Sequence, residues 1–192
     1  MEKSCAVIYL HGFNGNPSIQ IKQFQRGNFV FYAPNYCPSN VSHTKNFLNP
    51  YIKAVIQKHT TTILFGNSLG GMWADYFARL FRIPVILNNP ATVMKGTLSK
   101  FIGVAVKMPD NSLAVLCEND IELLTKVSQE RSQISPVNTV VFLNQDDEIV
   151  PFELAHSEYS LNESTKIIIH KDGGHRLIRK KEVIQEIEKM CN

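Results

Sequence analysis

Short apolar runs alternate with longer amphipathic segments along most of this chain. Cys5 to Leu10, Phe29 to Ala33, Thr62 to Phe65, Pro84 to Leu87, Thr139 to Leu143 and Lys166 to Ile169 read as strands, each closed by turn residues or a polar shift. Most of these runs lack polar alternation, as expected of parallel strands covered on both faces. Between them lie helix patterns. Thr44 to Lys58 carries Phe47, Leu48, Tyr51, Ile52, Val55 and Ile56 on one face, and Leu177 to Met190 carries Ile178, Val183, Ile184 and Ile187. Leu69, Met72, Trp73, Tyr76, Phe77 and Leu80 likewise recur at steps of three and four. Strand and helix in alternation predict an α/β fold: a mainly parallel sheet of about six strands, right-handed crossovers and helices on both faces.

At 192 residues the chain suits one domain, 1–192. From about Thr92 to Val137 the alternation breaks, with Lys95-Gly96-Thr97, Gly103, Met108-Pro109-Asp110-Asn111 and a helix pattern around Ile121 to Gln129. A stretch this long without a clean strand-helix pair reads as an insertion over the C-terminal edge of the sheet, a small lid over residues 92–137. An ordinary crossover helix with long flanking loops is the other reading.

The apolar run ending at Phe65 leads directly into Gly66-Asn67-Ser68-Leu69-Gly70. A G-x-S-x-G pattern between a strand and a helix is the form of a nucleophile elbow, a tight turn that lifts a serine hydroxyl clear of its backbone. The bare pattern arises by chance in roughly one chain in twenty of this length, so the flanking strand and helix carry the assignment. Without them, Ser68 would read as a helix cap.

A serine nucleophile needs a base, and the base needs a group that fixes its tautomer. Asn144-Gln145-Asp146-Asp147-Glu148-Ile149-Val150-Pro151 follows the strand at Thr139 to Leu143, at the sheet edge where such sites form. Asp147 is the preferred acid and Asp146 the runner-up. Of six histidines, His156, His170 and His175 follow the acid. His156 falls in a helix pattern and His170 ends an apolar run, whereas His175 stands in the loop after the last strand, preceded by Gly173-Gly174, and is the candidate base. Backbone N–H groups of Phe13, in the loop after the first strand, and of Leu69, next to the nucleophile, are the candidate oxyanion donors. His11 reads as a satisfied core histidine.

Taken together, Ile8-Tyr9-Leu10-His11-Gly12-Phe13-Asn14, Gly66-Asn67-Ser68-Leu69-Gly70-Gly71, the Asp147 to Pro151 run and Gly173-Gly174-His175 resemble the α/β-hydrolase superfamily. Within it, the chain is similar to the small bacterial YqiA/YcfP-like esterases. The acid four residues before the proline resembles the acid loop of many such hydrolases. The resemblance implies a serine esterase that cleaves carboxylic ester bonds through an acyl-enzyme on Ser68, with His175 as base and Asp147 as orienting acid, and that needs neither metal nor organic cofactor. Thioesterase or other acyl-hydrolase chemistry on the same residues is an alternative. So is a non-catalytic interaction protein that keeps the hydrolase shell and presents Phe31, Tyr32, Tyr36 or Trp73 to a partner.

Composition narrows the partners. Apolar residues make up 44% and charged residues 19%, which describes an ordinary globular chain. Twenty Lys and Arg against 17 Asp and Glu leave +3, giving no argument for nucleic acid or membrane; a small-molecule acyl ester is the expected partner. The one basic cluster, Arg176, Arg179, Lys180 and Lys181, reads as the solvated face of the last helix. Cys5, Cys37, Cys117 and Cys191 show no metal-ligand spacing and no disulfide framework. The N-terminal apolar run is too short for a secretory signal, and no run is long enough for a bilayer, so a cytoplasmic protein with reduced thiols is expected.

Overall fold

Six of the apolar runs pair side by side, all parallel. The computed structural model describes residues 4–17, 22, 24, 29–107, 111–176 and 178–192. The strands are β1 (Cys5–Leu10), β2 (Val30–Tyr32), β3 (Thr61–Asn67), β4 (Val85–Asn88), β7 (Thr139–Asn144) and β8 (Thr165–His170). Their order in the sheet is β2-β1-β3-β4-β7-β8. The chain runs from β1 to β2 on one side and then resumes at β3 on the other. The order therefore reverses between β1 and β3, and the loops leaving these two strands part there and leave a crevice.

Alternate residues of each strand feed two apolar layers. Ala6, Ile8, Leu10, Leu64, Val85, Leu87, Val141 and Leu143 pack under α1 (Val41–Lys58), α2 (Leu69–Phe81), α4 (Glu118–Gln133) and α5 (Phe152–Ser160). Val7, Tyr9, Ile63, Phe65, Ile86, Val140 and Phe142 pack with Val183 and Ile187 of α6 (Lys180–Cys191). This two-sided burial is why the strands read as continuous apolar runs. Helix α1 begins three residues before the pattern at Thr44, because Asn40 accepts the His43 N–H at 2.9 Å and caps it. Helix α6 starts at Lys180, three residues later than expected, and Leu177 lies outside the described residues.

Between β4 and β7 the chain builds α3 (Met94–Leu98), a 3₁₀ turn (Ser99–Phe101), the antiparallel pair β5 (Ala105–Lys107) and β6 (Leu113–Val115), and then α4. The hairpin is the antiparallel element that the sequence reading left unassigned. Met108-Pro109-Asp110 lies outside the described residues.

Helix α4 is fastened to the sheet-packing helices by charge. Asp75 of α2, fully buried, accepts from Arg79 Nε at 2.7 Å and from Tyr159 Oη at 3.2 Å, and pairs with the buried Arg131 of α4. Arg131 also pairs with Glu158 of α5. Burial, reinforced by the Asp75 charge, holds the Tyr159 phenol protonated. Removing one partner of such a cluster strands a charge away from water. Asp75→Ala is accordingly expected to cost about 3–5 kcal/mol, read as a lower urea midpoint.

One expectation fails. Cys5 of β1 and Cys191 at the end of α6 form a disulfide, with Cα atoms 5.6 Å apart, so these two thiols are oxidised rather than reduced. Their separation of 186 residues along the chain conceals a proximity that only the packing of α6 on the sheet creates. Cys37 and Cys117 are free. No helix among the described residues is long and apolar enough to cross a membrane.

Candidate active site

Strand β3 delivers Ser68 to the sheet edge in an unusual backbone conformation. Its φ of 57° and ψ of −126° lie outside the ordinary regions for an L residue, and helix α2 begins at the next position. The turn closes only because its neighbours lack side chains. A Cβ on Gly70 would lie 2.1 Å from the Leu10 carbonyl oxygen, and one on Gly66 would lie 2.3 Å from the Gly70 oxygen. The turn is held by the Ser68 N–H donating to Asn88 O at 3.0 Å and the Ala91 N–H donating to Ser68 O at 3.0 Å.

Three of the expected side chains meet. His175 Nε2 lies 2.8 Å from Ser68 Oγ, and His175 Nδ1 lies 2.8 Å from Asp147 Oδ2. Both Ser68 and His175 are less than a tenth exposed, so the chain of contacts runs through a region largely shielded from water. Asp147 Oδ1 also accepts the N–H groups of Ile149 and Val150, each at 2.8 Å, which fixes the carboxylate before the imidazole reaches it.

The acidic run divides its labour in a way the sequence reading did not assign. Asp146 faces away from the imidazole and accepts from the Gly173 N–H at 3.1 Å and the Gly174 N–H at 2.8 Å. Glu148 accepts the His175 N–H at 2.9 Å. From beneath, Asn144 Nδ2 donates to Gly174 O at 2.7 Å, and Asn89 Nδ2 donates to Gly174 O and His175 O. The histidine loop is thus gripped by four side chains, and all of them sit at or just beyond the C-terminal ends of β4 and β7. Their place in the chain was the available signal. We expect Asp146→Ala to lower turnover by roughly tenfold with little change in KM, since charge-assisted bonds to the loop are lost. Asp146→Asn, which keeps one acceptor oxygen, should recover most of it in steady-state assays.

The loop after β1 lies against the serine: a Cβ on Gly12 would come within 2.9 Å of Ser68 Cβ. Phe13 follows, lining the same cavity as Ser68 and His175. The Leu69 N–H, first of its helix, has no acceptor inside that helix. His11 is only partly satisfied. Its Nδ1 lies 3.0 Å from Gly12 O, its ring packs on Tyr36, and its buried Nε2 has no partner among the described residues; burial lowers its pKa and keeps it neutral.

His170 stacks on Phe142 with Nε2 facing Glu182 at 3.2 Å, and His156 stacks on Phe152; neither approaches Ser68. Trp73 and Tyr36 are buried, and with Phe31 and Tyr32 they stand apart from the cavity lining. The basic cluster is not one solvated face. Arg179 pairs with Asp172, while Arg176, ahead of α6, lines the cavity.

The cavity itself, about 440 Å³, opens at the β1/β3 crevice. Residues Leu98, Phe101 and Val104 of the insertion form part of its wall, with Phe101 against Phe13 at 5.4 Å between ring centres. Among the described residues no cluster of three or more His, Cys, Asp or Glu is arranged to hold a metal ion.

Comparison with other proteins follows the same lines. The model of an uncharacterised protein family, UPF0227, matches residues 6–192. The chain belongs to UPF0227. No curated protein matches it. Solved structures share the architecture of this UPF0227 chain. Est1E from Butyrivibrio proteoclasticus superposes with a TM-score of 0.73 at 17% identity, covering 98% of this chain and 87% of that one. A soluble variant of monoglyceride lipase from Saccharomyces cerevisiae gives 0.74 at 11% identity, with 98% and 87% covered. An α/β superfamily hydrolase from Oenococcus oeni PSU-1 gives 0.69 at 15%, with 100% and 94% covered. The fold of this UPF0227 chain is that of the α/β hydrolases, as the motifs implied.

Proposed function

We propose that this protein is a serine esterase that cleaves carboxylic ester bonds through an acyl-enzyme on Ser68. The observation that carries the reading is the continuous chain Ser68 Oγ, His175 Nε2, His175 Nδ1 and Asp147 Oδ2, with both steps at 2.8 Å, beside the cavity. Asp147 accepts the Nδ1 proton, which leaves the Nε2 lone pair facing the serine hydroxyl. Ser68 Oγ attacks the acyl carbon as His175 takes its proton, and the N–H groups of Phe13 and Leu69 receive the oxyanion. His175 then protonates the departing alcohol oxygen, leaving the acyl group on Ser68. Water enters, gives its proton to His175, attacks the acyl carbon and releases the acid as the proton returns to Ser68. Within the stretch 92–137, Leu98, Phe101 and Val104 act as a small lid by supplying the cavity wall, while α4 packs on the sheet. The monoglyceride lipase, which shares the fold, carries a lipase name, in keeping with this assignment.

A fluorophosphonate probe tests the reading directly. Stoichiometric labelling mapped to Ser68 by mass spectrometry is expected. A folded protein that resists the probe and hydrolyses none of a graded series of acyl esters would instead fit a binding module.

A further inference from the structure

The cavity is chemically two-sided. Phe13, Leu98, Phe101 and Ile149 belong to or pack against the apolar layer under α2 and α4, and together they make one wall free of charge. The opposite wall follows the other layer. It begins with Tyr9 and Ile178, and Asn67, which continues the Ile63-Phe65 side of β3, extends it. This second wall ends in Arg176. Among the described residues the guanidinium has no ion-pair partner, and no carboxylate lines the cavity. Tyr9, nearly fully buried, lines the same wall. A recess whose described lining holds an unpaired cation and no acid favours a ligand bearing negative charge.

The reaction geometry says which part of the ester meets this wall. The leaving alcohol must receive its proton from His175 Nε2, so it departs on the histidine side, and Arg176 is the residue that follows His175. Resting on the esterase reading above, we propose that the natural substrate is an ester whose alcohol portion carries an anionic group, carboxylate or phosphate, and that Arg176 selects it while the acyl chain lies against Phe13, Leu98 and Phe101. Arg176 is here a specificity residue, since it touches the charge and takes no part in bond breaking. Its exposure makes the preference moderate and salt-dependent.

The test uses two chromogenic esters with the same acyl group, 4-nitrophenyl butyrate and its 3-carboxy derivative, which differ only by a carboxylate on the leaving phenol. For the wild-type protein, kcat/KM on the carboxylated ester relative to the neutral one should exceed the same ratio for Arg176→Met by about tenfold, mainly through KM. Arg176→Lys should keep part of it, and raising salt from about 0.05 to about 0.5 M should shrink it. The mono-4-nitrophenyl ester of succinic acid, whose charge sits on the acyl side, should gain nothing from Arg176. Equal ratios in wild type and Arg176→Met, with the neutral ester still hydrolysed, overturn the charge selection and leave the esterase reading standing. A gain on the succinate ester alone overturns the assignment of sides. If the folded wild-type protein cleaves none of the three, the esterase reading falls and the selection falls with it.

Discussion

Ser68→Ala is expected to remove ester hydrolysis almost entirely, by about six orders of magnitude in turnover, as single losses from such serine units do. The change deletes one oxygen whose contact in the resting protein is the 2.8 Å hydrogen bond to His175 Nε2. The backbone contacts of the elbow, Ser68 N–H to Asn88 O and Ala91 N–H to Ser68 O, do not depend on the side chain. Alanine meets the same positive φ as serine, so the turn gains no new steric cost. Circular dichroism and the urea midpoint should therefore remain close to wild type while hydrolysis and probe labelling disappear together. A variant that keeps activity within a few-fold of wild type places the nucleophile elsewhere.

Asp147→Asn is expected to lower turnover by about four orders of magnitude without loosening the loop. Its Oδ1 accepts two backbone N–H groups, and asparagine can keep that oxygen there. The amide nitrogen then occupies the place of Oδ2 and donates to His175 Nδ1 instead of accepting from it. The imidazole is forced into the tautomer with its proton on Nε2, aimed at Ser68, where no lone pair remains to accept the hydroxyl proton. Steady-state kinetics on an activated ester measure the loss. Comparison with Asp146→Asn separates it from general damage to the acidic turn, because Asp146 touches only the glycine N–H groups. A folded Asp147→Asn protein with near-normal turnover rules out this tautomer role.

What could be read from the chain follows from how locally each feature is encoded. Strands β1, β3 and β7 are buried on both faces and announce themselves as unbroken apolar runs, and the elbow is fixed within five residues by a turn that tolerates no alternative spacing. Asp147 and His175 could be singled out as candidates because each follows the end of a strand. Features made by distant segments were not. The Asp75 to Arg131 pair joins residues 56 apart, and a carboxylate at position 75 on an otherwise apolar helix face gives no hint of which cation answers it. Cys5 and Cys191 meet only because α6 packs on the inner strands. The grip of Asn89 and Asn144 on the histidine loop escaped notice because amide side chains after strands are usually taken for turn formers. The hairpin of β5 and β6 is three residues long on each side, too short for a periodic signal.

The buried charge cluster at Asp75 also divides the region between β4 and β7 into two mechanical parts. Helix α4 is bolted to α2 and α5, and the buried Met94 and Leu98 of α3 pack in the same apolar layer, whereas β5 and β6 stand outside it with Leu113 and Val115 exposed. The paired strands β5 and β6, flanked by Val104 at the cavity and by α4, therefore behave as a cassette with two fixed sockets. Evolution, or an engineer, can exchange it for a longer or differently shaped segment and so reshape the cavity wall, while the turn at Ser68, the histidine loop and the sheet that carries them stay where they are.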